Sequence, residues 1–157
     1  MAKRTKITHG KTSTLQRARP NFRSTVLLEK IKLSGKVFSG GGEGKNFLNL
    51  PWVKRQIQEK LGFTPYLGTL NVKLSEENLK RKKLLEKTHS IKVCPADGYS
   101  SGILIKASID TLECAIVVPG VADYPKALLE IIAPVNLRKT LQLEDGSEVT
   151  VTVNLLD

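Results

Sequence analysis

Three places in the chain hold residues whose types and spacing could do chemistry. The first is Gly40-Gly41-Gly42-Glu43-Gly44-Lys45, with four glycines in six residues. Glycine admits positive φ angles, so backbone N–H groups can converge on an anion, and Lys45 adds a point charge for phosphate. That chemistry is nucleotide binding and transfer of the terminal phosphate. The segment departs from two familiar fingerprints. A Walker A loop needs Gly where Ser39 stands and Ser or Thr where Asn46 stands. A dinucleotide-binding fingerprint needs Gly in place of Lys45 and a helix next, whereas a strand-like Asn46-Phe47-Leu48 follows here. Taken alone, the loop reads equally well as a flexible hairpin turn.

The second place is Gly68-Thr69-Leu70-Asn71-Val72-Lys73-Leu74. Its alternation puts Leu70, Val72 and Leu74 on one face and Thr69, Asn71 and Lys73 on the other. Asn has low strand propensity, so Asn71 calls for a reason. One reason is a polar solvent face. Another is a pair of neutral oxygen ligands for Mg²⁺, which prefers oxygen and shares its shell with substrate phosphates. The third place is Leu128-Leu129-Glu130-Ile131-Ile132-Ala133-Pro134, where Glu130 interrupts an apolar run. A carboxylate there is either turned outward or engaged, as a ligand acceptor or a general base. Val135-Asn136-Leu137-Arg138 follows with polar groups and a guanidinium.

These residues need a frame, and the pattern supplies one of short strands. Strands are expected at Ile31–Phe38, Phe47–Leu50, Thr69–Leu74, His89–Val93, Gly102–Ile109, Thr111–Val118, Leu128–Ile132 and Glu148–Leu155. Turns fall at Pro65–Gly68, Asp97-Gly98 and Asp145-Gly146. Pro51–Leu61 reads as a helix, with Pro51 in its first turn, Trp52/Val53, Ile57 and Leu61 at helical spacing, and Gly62 as its C-terminal cap. Ser75-Glu76-Glu77 starts a short basic helix or loop running to Lys87, and Asn136–Leu141 gives one or two helical turns. Many short strands with few helices predict a mostly β fold, a small β-barrel.

The chain has 157 residues and a net charge of +10, which is unevenly placed. Residues 1–32 hold nine Lys/Arg and one acid, leaving residues 33–157 with sixteen Lys/Arg and fourteen acids. The expected organisation is therefore a basic N-terminal arm, 1–32, and a nearly neutral domain, 33–157. The arm reads as a solvated tail, as a contact for nucleic acid or an acidic partner, or as a transit peptide. Phe22 is its only aromatic residue, so base stacking is unsupported. No apolar run is long enough to span a bilayer, and no apolar h-region follows the basic start. Cys94 and Cys114, the two cysteines, lie in apolar runs and read as buried thiols of a cytoplasmic protein. Nothing in the Cys and His spacing builds a zinc site.

In order, these pieces resemble the archaeal CTP-dependent riboflavin kinases. The resemblance rests on Gly35–Lys45, Leu61-Gly62-Phe63-Thr64-Pro65-Tyr66, Gly68-Thr69-Leu70-Asn71, Ala115-Ile116-Val117-Val118-Pro119, and Glu130–Pro134 with Leu137-Arg138. It covers about residues 35 to 153. It implies a six-stranded cradle-loop-type barrel and transfer of the γ-phosphate of CTP to riboflavin, giving FMN and CDP with Mg²⁺. By position it places the nucleotide on Gly41, Gly42, Glu43, Gly44, Lys45, Asn46, Val135, Asn136, Leu137 and Arg138. It places the metal on Thr69 and Asn71, and a flavin contact on Glu130. The family's flavin-contacting threonine aligns with Ala122, so that interaction is either missing here or made by Asp123 or Tyr124 instead. The rival reading is a small β-barrel module that binds nucleic acid through its basic arm.

Overall fold

The computed structural model describes residues 29–96 and 98–155. Residues 1–28 of the basic arm, and with them the nucleic-acid contact that is one reading of it, lie outside the described residues, as does Asp97 of the Asp97-Gly98 turn, whereas Lys30, Ile31 and Lys32 at the arm's end belong to a strand. The elements run β1 (Lys30–Phe38), α1 (Glu43–Leu48), α2 (Pro51–Leu61), β2 (Leu70–Leu74), α3 (Glu76–Lys82), a 3₁₀ turn (Lys83–Lys87), β3 (Ile91–Val93), β4 (Gly102–Ile109), β5 (Leu112–Pro119), β6 (Leu128–Ile132), α4 (Leu137–Leu141) and β7 (Glu148–Asn154).

The strands form one sheet in the order β3-β4-β5-β6-β2-β1-β7. β4 bonds β3 along its first residues, Gly102↔Val93 and Leu104↔Ile91, and meets β7 near its end at Ser108↔Thr152. That second pairing closes β4, β5, β6, β2, β1 and β7 into the expected six-stranded antiparallel barrel. Closure removes the unpaired edges that an open sheet of this size would expose.

Burial explains which residues build which wall. β2 and β7 alternate strictly, with Leu70, Val72 and Leu74, and then Val149, Val151 and Val153, pointing inward. They join Leu33, Val37, Ile105, Ile109, Cys114, Ile116, Leu129 and Ile131 inside the barrel. β4, β5 and β6 are covered on their outer face too, because α2 lies across them. Val53, Ile57 and Leu61 of α2, with Leu48 of α1, pack on Val93, Leu104, Ala115 and Ile132. Each such apolar side chain contributes about 1.5–3 kcal/mol by leaving water. α2 begins at Pro51 and ends where Gly62 turns left-handed at φ 81°.

Two expectations are corrected. Phe47–Leu50 is not a strand, since Glu43–Leu48 is helical and Asn49 and Leu50 donate back to the Lys45 and Phe47 carbonyls at 3.1 Å. A short apolar run has no period to separate the two states. What decides is burial, since Leu48 packs with the buried face of α2. A helix therefore does follow the glycine loop. Cys94 is not buried: it is an exposed free thiol, whereas Cys114 is buried and also free. Among the described residues no helix is long and apolar enough to cross a membrane.

Candidate functional site

The glycine loop leaves the end of β1 and lies directly on the residue pair Thr69 and Asn71. A Cβ at Gly40 would overlap the Asn71 amide, and one at Gly44 would come within 2.8 Å of Thr69 Oγ1 and Cγ2. Gly42 turns the chain into α1 with φ 87°. Glycine is thus demanded here by close approach at two positions and by backbone conformation at a third.

Thr69 stands just before β2 and Asn71 within it, both off the inward face. Thr69 Oγ1 donates to Asn71 Oδ1 at 3.2 Å. Asn71 is in register with Glu130 of β6, so the two side chains are cross-strand neighbours on the barrel's outer face. Glu130 is half-buried and accepts a hydrogen bond from Tyr124 Oη at 2.8 Å. Burial, then the Glu130 hydrogen bond and charge, pushes the Tyr124 phenol well above its usual range. It therefore stays a donor at any working pH. Lys82 reaches over from α3: its Nζ donates to the carbonyls of Lys126 at 2.7 Å and Leu128 at 3.2 Å and lies 5.9 Å from the Tyr124 ring centroid. Burial lowers its pKa.

On the other side, Asn136 accepts from the Lys139 backbone N–H at 3.1 Å and so caps α4, while its Nδ2 donates to Tyr66 Oη at 3.0 Å. Arg138 Nη2 pairs with Asp145 and donates to Ser39 Oγ at 3.3 Å. Ser39 Oγ itself lies 2.9 and 3.0 Å from the two carboxylate oxygens of Asp145. Hydrogen bonds from Arg138 and then Ser39 hold the Asp145 carboxyl below its usual pKa.

Two cavities flank this line of residues. The first, about 330 Å³, is walled by the glycine loop, Thr69, Asn71 and Val135–Arg138. The second, about 410 Å³, is more apolar, and Phe47, Leu48, Val53, Ile57, Tyr99, Val117 and Val121 line it. Phe47, Trp52 and Tyr99 form an aromatic file beside it, with ring centroids 6.0 and 5.4 Å apart. Gly44 and Thr69 line both cavities, which therefore meet at the loop. Among the described residues the large apolar side chains left exposed are Phe38, Tyr66, Tyr99, Val121 and Val135. All five line one cavity or the other. An apolar surface kept open at the mouths of two adjoining cavities is a ligand-binding arrangement.

A family model named for CTP-dependent riboflavin kinase, and described as "Domain of unknown function DUF120", matches residues 37–153. The chain belongs to this family. A riboflavin kinase of Methanosarcina barkeri is 42% identical over 128 residues, covering 79% of this chain and 57% of that protein. One from Ignicoccus hospitalis is 39% identical over 132 residues, covering 82% and 74%. One from Pyrobaculum aerophilum is 41% identical over 135 residues, covering 82% and 63%. The chain thus spans little more than half the length of some curated relatives it matches.

The matched stretch contains every nucleotide, metal and flavin residue expected from the sequence. Gly42, Gly44, Lys45, Thr69, Asn71, Val135, Asn136, Leu137 and Arg138 all line the first cavity. Glu43 opens α1, and neither Gly41 nor Asn46 lines either of these two cavities. Glu130 lines the second cavity. Sequence reasoning does not single out Ser39, Tyr66, Asp145, Phe47 or Tyr99 as site residues. Tyr66 sits inside one of the matching motifs, and Ser39 in another, so order along the chain offers a hint. Asp145 and Tyr99 carry no local signal, because only folding brings them to the cavities.

Proposed function

We propose that this domain transfers the γ-phosphate of CTP to riboflavin, giving FMN and CDP. The observation that carries the reading is the pair of adjoining cavities, one mixed polar and apolar and the other mainly apolar, meeting at Gly44 and Thr69. One cavity offers loop backbone N–H groups, Lys45 and Arg138, suited to a polyphosphate. The other offers an apolar, partly aromatic wall with a carboxylate at its edge, suited to a flat tricyclic ring bearing a hydroxylated chain. Family membership supports riboflavin as acceptor, and the family's name supports CTP as donor.

In this reading a riboflavin hydroxyl oxygen attacks the γ-phosphorus in line. The bond to the β-γ bridging oxygen breaks, CDP leaves, and the hydroxyl proton passes to Glu130 and then to water. Tyr124 holds Glu130 Oε2, and Glu130 lines the cavity proposed for the acceptor. The loop and Arg138 hold the phosphates, so catalysis is mostly positioning and charge stabilisation.

The residues also fit Mg²⁺. Adjacent ligands of an octahedral Mg²⁺ stand about 3 Å apart, given ligand distances of about 2.1 Å. Thr69 Oγ1 and Asn71 Oδ1 are 3.2 Å apart at the cavity wall. Both are neutral, so the cation's charge would remain available to offset that of the phosphates.

The test is to mix purified protein with riboflavin, Mg²⁺ and each nucleoside triphosphate in turn, and to separate FMN by chromatography. FMN forms with CTP; its absence with every donor overturns the reading. Asn71→Leu is expected to keep the fold, seen by circular dichroism, and to lose FMN formation. Full activity in that variant removes the metal assignment.

A further inference from the structure

We infer that Asp145 is a positioning residue for the phosphate donor, acting through Arg138 and Ser39. The inference rests on the reading of the first cavity as the nucleotide site, and it concerns a residue outside that cavity's wall. Asp145 sits in the turn before β7. Ser147 N–H donates to the Glu144 carbonyl at 2.9 Å, and Glu144 N–H donates to Ser147 Oγ at 2.9 Å. The same turn is fastened to β1, since Gly146 N–H donates to the Val37 carbonyl at 2.7 Å and Val37 N–H donates to the Ser147 carbonyl at 2.9 Å. The Asp145 carboxylate is therefore carried on a fixed piece of backbone.

From that mount it engages two cavity-lining residues from distant parts of the chain. Ser39 opens the glycine loop, and Arg138 comes from α4. Arg138 also donates to Ser39, so the three side chains form a closed triangle. Arg138 uses Nη2 for both contacts. Among the described residues its Nε and Nη1 have no protein acceptor, so these donors remain for an anion in the cavity. The guanidinium is a rigid planar fork, and fixing one nitrogen fixes the direction of the others. The Arg138 side chain is otherwise long and partly exposed. Its aim is thus held by Asp145 together with Ser39.

The opposite possibility is that Asp145 competes with phosphate for Arg138, and the same variant separates the two. In the full-length chain, Asp145→Asn keeps the shape and removes the charge. The expected result is a roughly tenfold higher KM for CTP and a matching loss of CDP affinity by calorimetry, the size of one charge-assisted contact. The riboflavin KM stays within about twofold, because the groups proposed to hold riboflavin line the other cavity. Asp145→Glu, which keeps the charge, recovers part of the affinity. In an Arg138→Ala background, Asp145→Asn adds less than about twofold, as expected of residues acting through one contact. Unchanged or tighter CDP binding in Asp145→Asn overturns the inference, and so do additive losses in the double variant. If the wild-type chain itself neither binds CDP nor forms FMN, the nucleotide-site reading fails first and takes the inference with it.

Discussion

Cys94 and Cys114 both stand beside aliphatic residues, yet the fold treats them oppositely. Cys114 faces the barrel interior, and burial followed by the neighbouring Glu113 charge pushes its thiol up to about 12. Cys94 follows β3 on an exposed stretch, where Gln56 pairs with its backbone N–H and carbonyl at 2.8 and 2.9 Å. A thiol reacts as the thiolate. Folded protein at neutral pH is therefore expected to give one reactive thiol with a chromogenic disulfide reagent, and unfolded protein two. Two in the folded state would place Cys114 at the surface. At the same scale, the spacing of Gly40, Gly42 and Gly44 is visible in the sequence, but its reason is not. Two of these glycines answer to Asn71 and Thr69, 31 and 25 residues away along the chain.

α2 is the element most legible in the sequence, because eleven residues at helical spacing outweigh local ambiguity. The sequence instead reads the start of its partner α1 as part of the glycine loop and its end, Phe47-Leu48, as the start of a strand, since so short a segment holds too few apolar positions to show a period. Together they make the outer layer and one wall of the apolar cavity. Ile57 belongs to both, being 1% exposed and lining that cavity. Ile57→Ala is expected to cost about 2–4 kcal/mol in urea unfolding, the usual range for a buried aliphatic side chain cut to Ala. In the folded fraction it raises the KM for riboflavin and leaves that for CTP unchanged. A stability loss below about 1 kcal/mol would mean that α2 is not seated as described.

Closure of the barrel joins residues far apart in sequence, with β1 and β7 as neighbours. β1 starts at Lys30, and Ile31 is buried in the core. The division proposed between a basic arm and a kinase domain can be tested there. A chain beginning at Glu29 keeps Ile31 and is expected to form FMN with the full chain's kinetics. A chain beginning at Leu33 loses Ile31 and about 2 kcal/mol or more of stability. If the arm binds polyanions, the full chain is retained on heparin in a salt-dependent way and the Glu29 chain is not. Equal retention of both would assign that binding to the domain, whose own charges nearly cancel.

The strand alternation, the α2 helix, the glycine loop and the unusual Asn71 and Glu130 are all legible in the sequence, because each is a local pattern of period or residue type. Their order along the chain is enough to carry the family resemblance. Tertiary structure alone decides that the loop lies on Thr69 and Asn71, and that Asn71 and Glu130 are cross-strand neighbours. It also places Asp145 behind Arg138 and brings Phe47 and Tyr99 to one cavity. The reason is physical. Local patterns record which face of an element is dry, whereas a site is made where elements distant in sequence meet, and that is fixed by strand register and barrel closure.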